Sequence, residues 1–281
     1  MREPAPAQLL LENDHLRLRA CRHGPMLYNA HDRYVGGSLD AYGEFSEAEV
    51  ELFAQLLRPG MTALDVGANI GAHTVPMARL VGPGGRVVAY EPQRVVFQTL
   101  CANLALGGVE NVEAHWAAAT ATPGPARVPR PDYAAPGNFG GIALADPAAA
   151  SEAVAGLPVD SLGLRACHFI KVDVEGMEGA VLEGAARTIA HHRPILYVEN
   201  DRAPRSRDLL GRLLGLDYRL WWHLPPLFRP SNYAGAATDG FPGVVSINVL
   251  ALPREGGSTL ASPYEITDAG DRPPGIASWD A

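Results

Sequence analysis

The sequence predicts an α/β protein: a doubly wound, mostly parallel seven-stranded Rossmann-like sheet with an antiparallel edge strand, plus a small N-terminal β/loop extension. Three observations predict it. Short β-rich runs alternate with stretches whose apolar residues return every three or four positions, the pattern of crossover units around a parallel sheet covered on both faces. The run at 61–66 leads straight into a turn with glycines at 67 and 71. The last two β-rich runs, 218–222 and 244–252, are separated by a long Pro/Gly/Asn-rich loop rather than a helix, as in an antiparallel pair at the sheet edge.

Taken in order, residues 1–45 form the extension, with alternation over His15–Arg19 for a hairpin and turn-rich residues 32–44 for a loop. A helix follows: Ser46 and Glu49 fit a capping box, Val50, Phe53, Leu56 and Leu57 repeat at helical spacing, and Pro59-Gly60 ends it. Strands are then predicted at 61–66, 86–91, 112–116, 167–173 and 194–199, and helices over 70–81, 93–106, 177–192 and 206–214. Residues 46–252 make the main domain on this reading. Residues 120–158, dense in Ala, Pro and Gly, read as a long functional or mobile loop, and 253–281 as a flexible C-terminal tail.

Composition narrows the partners. The 281 residues carry 23 basic and 31 acidic side chains, a formal net charge of -8, and the basic residues are not clustered; a nucleic-acid partner is thereby excluded. No apolar run approaches the roughly 18 residues of a membrane span, and the N-terminus lacks the apolar core of a signal peptide, so a cytoplasmic protein without a membrane partner is expected. A homo-oligomer stays open. Cys21, Cys101 and Cys167 are odd in number and far apart, which suggests buried thiols rather than disulfides or a zinc knuckle. Lys171 is the single lysine beside 22 arginines. Either this amine is required or it survived by chance.

In an open α/β sheet, ligands bind beyond the carboxyl ends of the strands, and the first strand-to-helix turn must approach them. Here that turn is Asp65-Val66-Gly67-Ala68-Asn69-Ile70-Gly71. Gly67 and Gly71 remove side chains from it, Asn69 tolerates left-handed dihedrals, and Asp65 can orient the turn or reach a ligand's ammonium group. A dinucleotide turn would read G-x-G-x-x-G around a pyrophosphate; this one has no glycine between 67 and 71, and the acid just before Gly67 would repel a phosphate. Glu91, at the end of the next strand, can accept both hydroxyl hydrogens of a ribose or, more blandly, cap a helix. NAD and S-adenosylmethionine both carry that ribose, but the turn favours the sulfonium cofactor.

The segments DVGANIGAHT, VVAYEPQ, IKVDVEGMEGAVLEGA and RPILYVEN resemble the FkbM-type methyltransferases, a branch of the class I S-adenosylmethionine-dependent enzymes. The resemblance covers about 25–252 and takes in YGE at 42–44, NFGG at 138–141 and SINVLALP at 246–253. It implies methyl transfer, usually to a hydroxyl of a sugar, polyketide or other specialised metabolite, and adds Tyr42, Asn138 and Asp173 to the cofactor-binding residues.

Transfer from a sulfonium is an in-line displacement, and a hydroxyl acceptor must also lose its proton. Lys171, Asp173 and Glu175 lie at period two on the strand and turn bordering the cleft, with Glu178 one turn into the next helix. Asp173 and Glu175 are the leading catalytic candidates, and Lys171 a buried partner for one of them. Their structural alternative is helix capping and backbone bonding. His73 and His223 are candidate bases, although most isolated histidines are structural. An Asp on one strand end and Glu199-Asn200 on the next suggest a weaker idea, a divalent cation held by Asp173, Glu199 and Asn200. Trp221, Trp222, Leu224 and Phe228 line the acceptor pocket or pack the sheet edge. The competing functions are an NAD-dependent oxidoreductase, an N-methyltransferase and a scaffold without turnover.

Overall fold

The structure, a computed structural model, describes residues 8–142, 150–257, 262, 264–276 and 279. Three antiparallel strands open the chain: β1 (Leu9–Glu12), β2 (Leu16–Cys21) and β3 (Gly24–Asn29). The turn-rich stretch predicted as a loop contains instead a helix, α1 (Val35–Tyr42), which buries Val35, Leu39 and Tyr42 and ends in a left-handed Gly43. Tertiary burial overrides the weak helix propensity of its glycines here.

The main sheet and its helices follow: α2 (Glu47–Leu56), β4 (Thr62–Val66), α3 (Thr74–Val81), β5 (Arg86–Tyr90), α4 (Arg94–Leu106) and β6 (Val112–His115). A small second sheet is made by β7 (Ala117–Ala119), β8 (Gly124–Pro129) and β9 (Ser151–Leu157). The chain then returns through β10 (Phe169–Val172), α5 (Glu178–Gly184), α6 (Ala186–His192), β11 (Ile195–Glu199), α7 (Ala203–Gly215), β12 (Tyr218–His223), β13 (Asn248–Pro253) and β14 (Glu265–Ile266).

The large sheet runs β14-β12-β13-β11-β10-β4-β5-β6. The order reverses between β4 and β10, which pair in parallel, so the crevice for a ligand opens beyond their carboxyl ends. Five strands, β6, β5, β4, β10 and β11, run parallel to one another. The antiparallel β13 is inserted between β11 and β12, and β14 adds an eighth strand at the edge. Side chains alternate across the sheet: Leu64, Val66, Ile170 and Val172 pack under α5 to α7, while Ala63, Phe169, Tyr197 and Trp221 pack under α2 and α3. Trp221 and Trp222 therefore fill opposite faces of the core, and Phe228 packs on Tyr42; none of the three lines an acceptor pocket.

Three further expectations change. Residues 120–158 are not a single loop, because β8 and β9 pair in antiparallel register from Gly124 to Pro129; residues 143–149 lie outside the described residues. The helix predicted over 177–192 is two, α5 and α6, broken at Ala185. Within the predicted tail, Ile266 is buried on β12 and the Trp279 ring meets that of Trp222; residues 258–261, 263, 277, 278, 280 and 281 lie outside the described residues. Tail burial here covers the apolar edge of β12. No helix among the described residues is long and apolar enough to cross a membrane.

Candidate active site

The glycine turn adopts the predicted conformation for an identifiable reason. Gly67 has φ +85°, and a Cβ there would collide with the Asp173 carbonyl, so this position joins the ends of β4 and β10. Asn69 sits at φ +50°, its side chain accepting from the Ile70 amide at 2.7 Å. Gly71, at φ +88°, is not on the cavity wall; a Cβ would stand 2.8 Å from Leu100 of α4.

The donors of this turn are already used. The Gly67 and Ala68 amides donate to the Tyr90 carbonyl at 3.0 and 2.9 Å, and that of Asn69 to Glu91 Oε2 at 3.0 Å. The Ile70 amide is held by Asn69, and that of Gly71 by the Ala68 carbonyl. A pyrophosphate needs such amides free. This turn has none to offer it.

Above the turn and the ends of β4, β5, β10 and β11 lies a cleft of about 470 Å³. Glu91 forms its floor on one side, with the Gln93 amide on Oε1 at 2.8 Å and the Asn69 amide on Oε2. Burial nevertheless raises its pKa to about 8. The Ala117–Ala119 strand and the 138–142 segment complete that end. Asn138 accepts from the Gly141 amide at 3.0 Å, Gln93 Nε2 donates to the Phe139 carbonyl at 2.6 Å, and a Cβ on Gly140 would reach within 2.7 Å of Asn69 Nδ2. The NFGG segment thus folds directly over the turn.

At the centre, β-strand register aligns a charged row on one face of the sheet. Lys171 pairs with Asp65 across β4 and with Tyr197 across β11. Its Nζ is 3.0 Å from Asp173 Oδ2 and 3.4 Å from Asp65 Oδ1, in a residue only 3% exposed. Burial opposes its charge, but Asp173, Asp65 and Glu49 together keep it raised. Burial likewise opposes ionisation of Asp173, yet Lys171 wins and holds that carboxyl below its ordinary value. Asp65, fully buried, is off the cavity wall: its other oxygen accepts from Thr74 Oγ1 at 2.6 Å, so it positions the start of α3 rather than reaching a ligand.

The far end is acidic. Glu175, in a left-handed conformation at φ +51°, is paired with Arg202, and burial lifts it to about 7. Glu199 is raised well above its ordinary value by burial, then by Asp173 and Asp201. Glu178 lies off the wall and accepts from the Gly176 amide at 2.7 Å. The expected cation trio is not assembled. Asn200 follows Glu199 on the opposite side of the chain and donates to Ser206 Oγ at 2.9 Å, away from the cavity. Glu175, Glu199 and Asp201 approach within 4.8 Å instead, with Arg202 as counter-charge.

The two histidines part company. His73 lines the cavity between the rings of Phe45 and Phe53, and burial lowers its pKa to about 3, so it is a neutral ring at working pH. His223 is off the wall, with Nδ1 2.8 Å from the Tyr197 hydroxyl. Tyr42 is also off the wall. Its hydroxyl donates to Asp239 at 3.2 Å and accepts from the Gly240 amide at 2.7 Å, while Glu44 receives Arg22, Arg229 and the Tyr233 amide. The YGE segment therefore fastens the loop that delivers Leu227 and Val244–Asn248 to the cavity.

Several wall residues were not among the sequence candidates, and Glu49 on α2 is the one that bears most on the chemistry. Ser46 has left-handed dihedrals, and its hydroxyl donates to the Glu49 carboxylate at 2.6 Å instead of capping the helix. Glu49 is buried, faces Lys171, and is raised to about 7 by burial. Its spacing with Phe53 and Leu57, i and i+4, was the available signal: an acid in register with a buried stripe.

The methyltransferase FkbM domain model matches residues 65–220, more than half of the chain. Over 72 residues the chain is 44% identical to a protein-L-isoaspartate O-methyltransferase of Triticum aestivum, covering 25% of this chain and 27% of that one. Among solved structures, a methyltransferase FkbM from Methylobacillus flagellatus KT is 22% identical at a TM-score of 0.45, over 73% of this chain and 50% of that one. A precorrin-6y C5,15-methyltransferase from Geobacter metallireducens GS-15 is 13% identical at 0.46, over 73% and 86%. The chain thus spans about a quarter of the first of these relatives and half of the second.

Proposed function

Since the chain belongs to the FkbM methyltransferase family, we propose that it transfers a methyl group from S-adenosylmethionine to a hydroxyl of a small specialised metabolite, such as a sugar or polyketide, in the cytoplasm. The observation that carries the cofactor is the pairing of an exhausted glycine turn with an acid-rich wall. Glu49, Glu91, Asp173, Glu175, Glu199 and Asp201 face the cleft, against Lys171 and Arg202. Such a wall suits a sulfonium and an ammonium and disfavours the pyrophosphate of NAD. Buried polar atoms of wall residues with no hydrogen-bond partner among the described residues, His73 Nε2, Tyr90 OH, Glu199 Oε2 and Asn248 Nδ2, fit a site built to receive a polar ligand.

Glu91 would take the ribose hydroxyls, the Ala117–Ala119 strand and Asn138 the base, and Asp173 the cationic end. Bound there, S-adenosylmethionine supplies a methyl group on a positively charged sulfur, which an aligned nucleophile can displace. The protein's own part is to bind, orient and exclude water. The loop over 227–248, fastened by Tyr42 and Glu44, closes the acceptor end, and a cleft of about 470 Å³ matches a small molecule.

Calorimetric titration with S-adenosylmethionine and separately with NAD tests the cofactor; preferential binding of NAD overturns the reading. A screen of hydroxylated metabolites for a mass gain of one methylene then tests the acceptor. Methylation confined to amines would replace the hydroxyl reading with N-methylation.

A further inference from the structure

A hydroxyl acceptor needs somewhere to send its proton, and the obvious candidate is poorly suited. His73 is on the wall but its imidazole is too weakly basic, held neutral by burial and by Lys171. Asp173 is committed to Lys171 at 3.0 Å. Glu49 differs from both. Its carboxylate takes the Ser46 hydroxyl at 2.6 Å and meets the Tyr197 hydroxyl, which in turn is 2.8 Å from Nδ1 of the half-buried His223. The groups facing Glu49 are then Ser46 on its own segment, Lys171 and Asp173 on β10, and Tyr197 on β11.

We infer that Glu49 is the proton acceptor of the reaction, and that Tyr197 and His223 form the route by which the proton leaves once the acceptor fills the cleft. The inference rests on the methyltransferase reading above. The acceptor O–H bond breaks and its proton goes to Glu49, the oxygen forms a bond to the methyl carbon, and the S–C pair returns to sulfur as a neutral thioether. One positive and one negative charge disappear together, so atoms and charge balance. Glu49 then passes a proton to the Tyr197 oxygen as Tyr197 gives its own to His223 Nδ1, and the opposite ring nitrogen releases one towards solvent. A group raised to about 7 is basic enough to accept a proton at neutral pH and acidic enough to lose it again.

The test uses the full chain with S-adenosylmethionine and S-adenosylhomocysteine as probes, titrated calorimetrically in two buffers of different ionisation enthalpy. Both probes carry the ribose, so protons released by Glu91 cancel in the difference. The sulfonium charge remains, and at pH 7 it should drive about half a proton from Glu49 and a similar amount from Glu175, both raised to about 7 on the wall of the cleft. We expect the difference to fall by about half in Glu49→Gln, the remainder being lost in Glu175→Gln, with the affinity for S-adenosylhomocysteine unchanged within about threefold. In Tyr197→Phe the carboxylate loses a donor, so the midpoint of release should move to higher pH, a shift that loss of packing alone would not produce. Turnover with a hydroxyl acceptor should fall about 10²- to 10⁴-fold in Glu49→Gln, while the affinity for S-adenosylmethionine, which loses the carboxylate charge, falls by no more than about tenfold. A release difference of undiminished size in Glu49→Gln, or a midpoint that stays put in Tyr197→Phe, overturns the proposal. Failure of the native protein to bind either probe would instead overturn the cofactor reading.

Discussion

Replacing Lys171 with Met removes the one cation among the described residues that pairs with Asp65. That carboxylate is fully buried, with Thr74 as its only hydrogen-bond donor among the described residues, and its Oδ1 is left facing an apolar thioether. Breaking a buried pair in this way costs about 3–5 kcal/mol. Asp173 adds little, because its side chain is 38% exposed and water can take the place of the amine. Thermal unfolding followed by circular dichroism should therefore show Tm lowered by about 8–16 °C, as expected for a loss of about 4 kcal/mol. Adding Asp65→Asn should restore most of the loss, because the uncompensated charge is then gone. A Lys171→Met protein within about 2 °C of native, or one that Asp65→Asn does not rescue, would refute the reasoning.

Glu91→Gln should weaken S-adenosylmethionine by about 10- to 100-fold in calorimetry, because two charge-assisted hydrogen bonds become neutral ones. Since ribose hydroxyls favour the ionised carboxylate, and burial has raised Glu91 to about 8, native affinity should climb from pH 6 to pH 8 and then level off, whereas the climb should be shallower in the Gln variant, where only the groups facing the sulfonium still titrate. Without ligand the stability trend has the opposite sign. The folded-state values of Glu49, Glu91 and Glu175 are raised, so their contribution is complete below the unfolded value near 4.5 and is lost as pH rises through about 7 to 8; urea unfolding should show lower stability at pH 8.5 than at pH 5.5. Tyr42→Phe should leave S-adenosylmethionine affinity within about twofold while costing about 1 kcal/mol of stability in the same assay, because its hydroxyl fastens the Asp239 carboxylate and the Gly240 amide and not the cofactor.

Legibility followed locality. Asn69 at left-handed dihedrals, Glu91 at a strand end and the parallel order of strands were readable because each depends on a few adjacent residues. Tyr42, Asn200 and His223 were misplaced because what decides their role is which side of the chain the fold turns inward. Asn200 follows Glu199 by one residue and so faces Ser206 rather than the cleft. Ser46 and Glu49 present the same spacing for a helix cap as for the side-chain pair they make, and only the packing of α2 against β10 and β11 separates the two. The row Asp65, Lys171, Tyr197 depends on strand register, which no segment states by itself. The edge strand β14 was hidden by its two-residue length.

The central claim is that the cofactor lies across the ends of β4 and β5, held by Glu91 and backed by the Gly67 turn. A crystal structure of the protein grown with S-adenosylhomocysteine tests it most directly. The account predicts the ribose hydroxyls on the Glu91 carboxylate, the adenine beside Ala117–Ala119 and the sulfur towards Asp173. Density for the nucleoside elsewhere, with Glu91 still bonded only to the Asn69 and Gln93 amides, would contradict it.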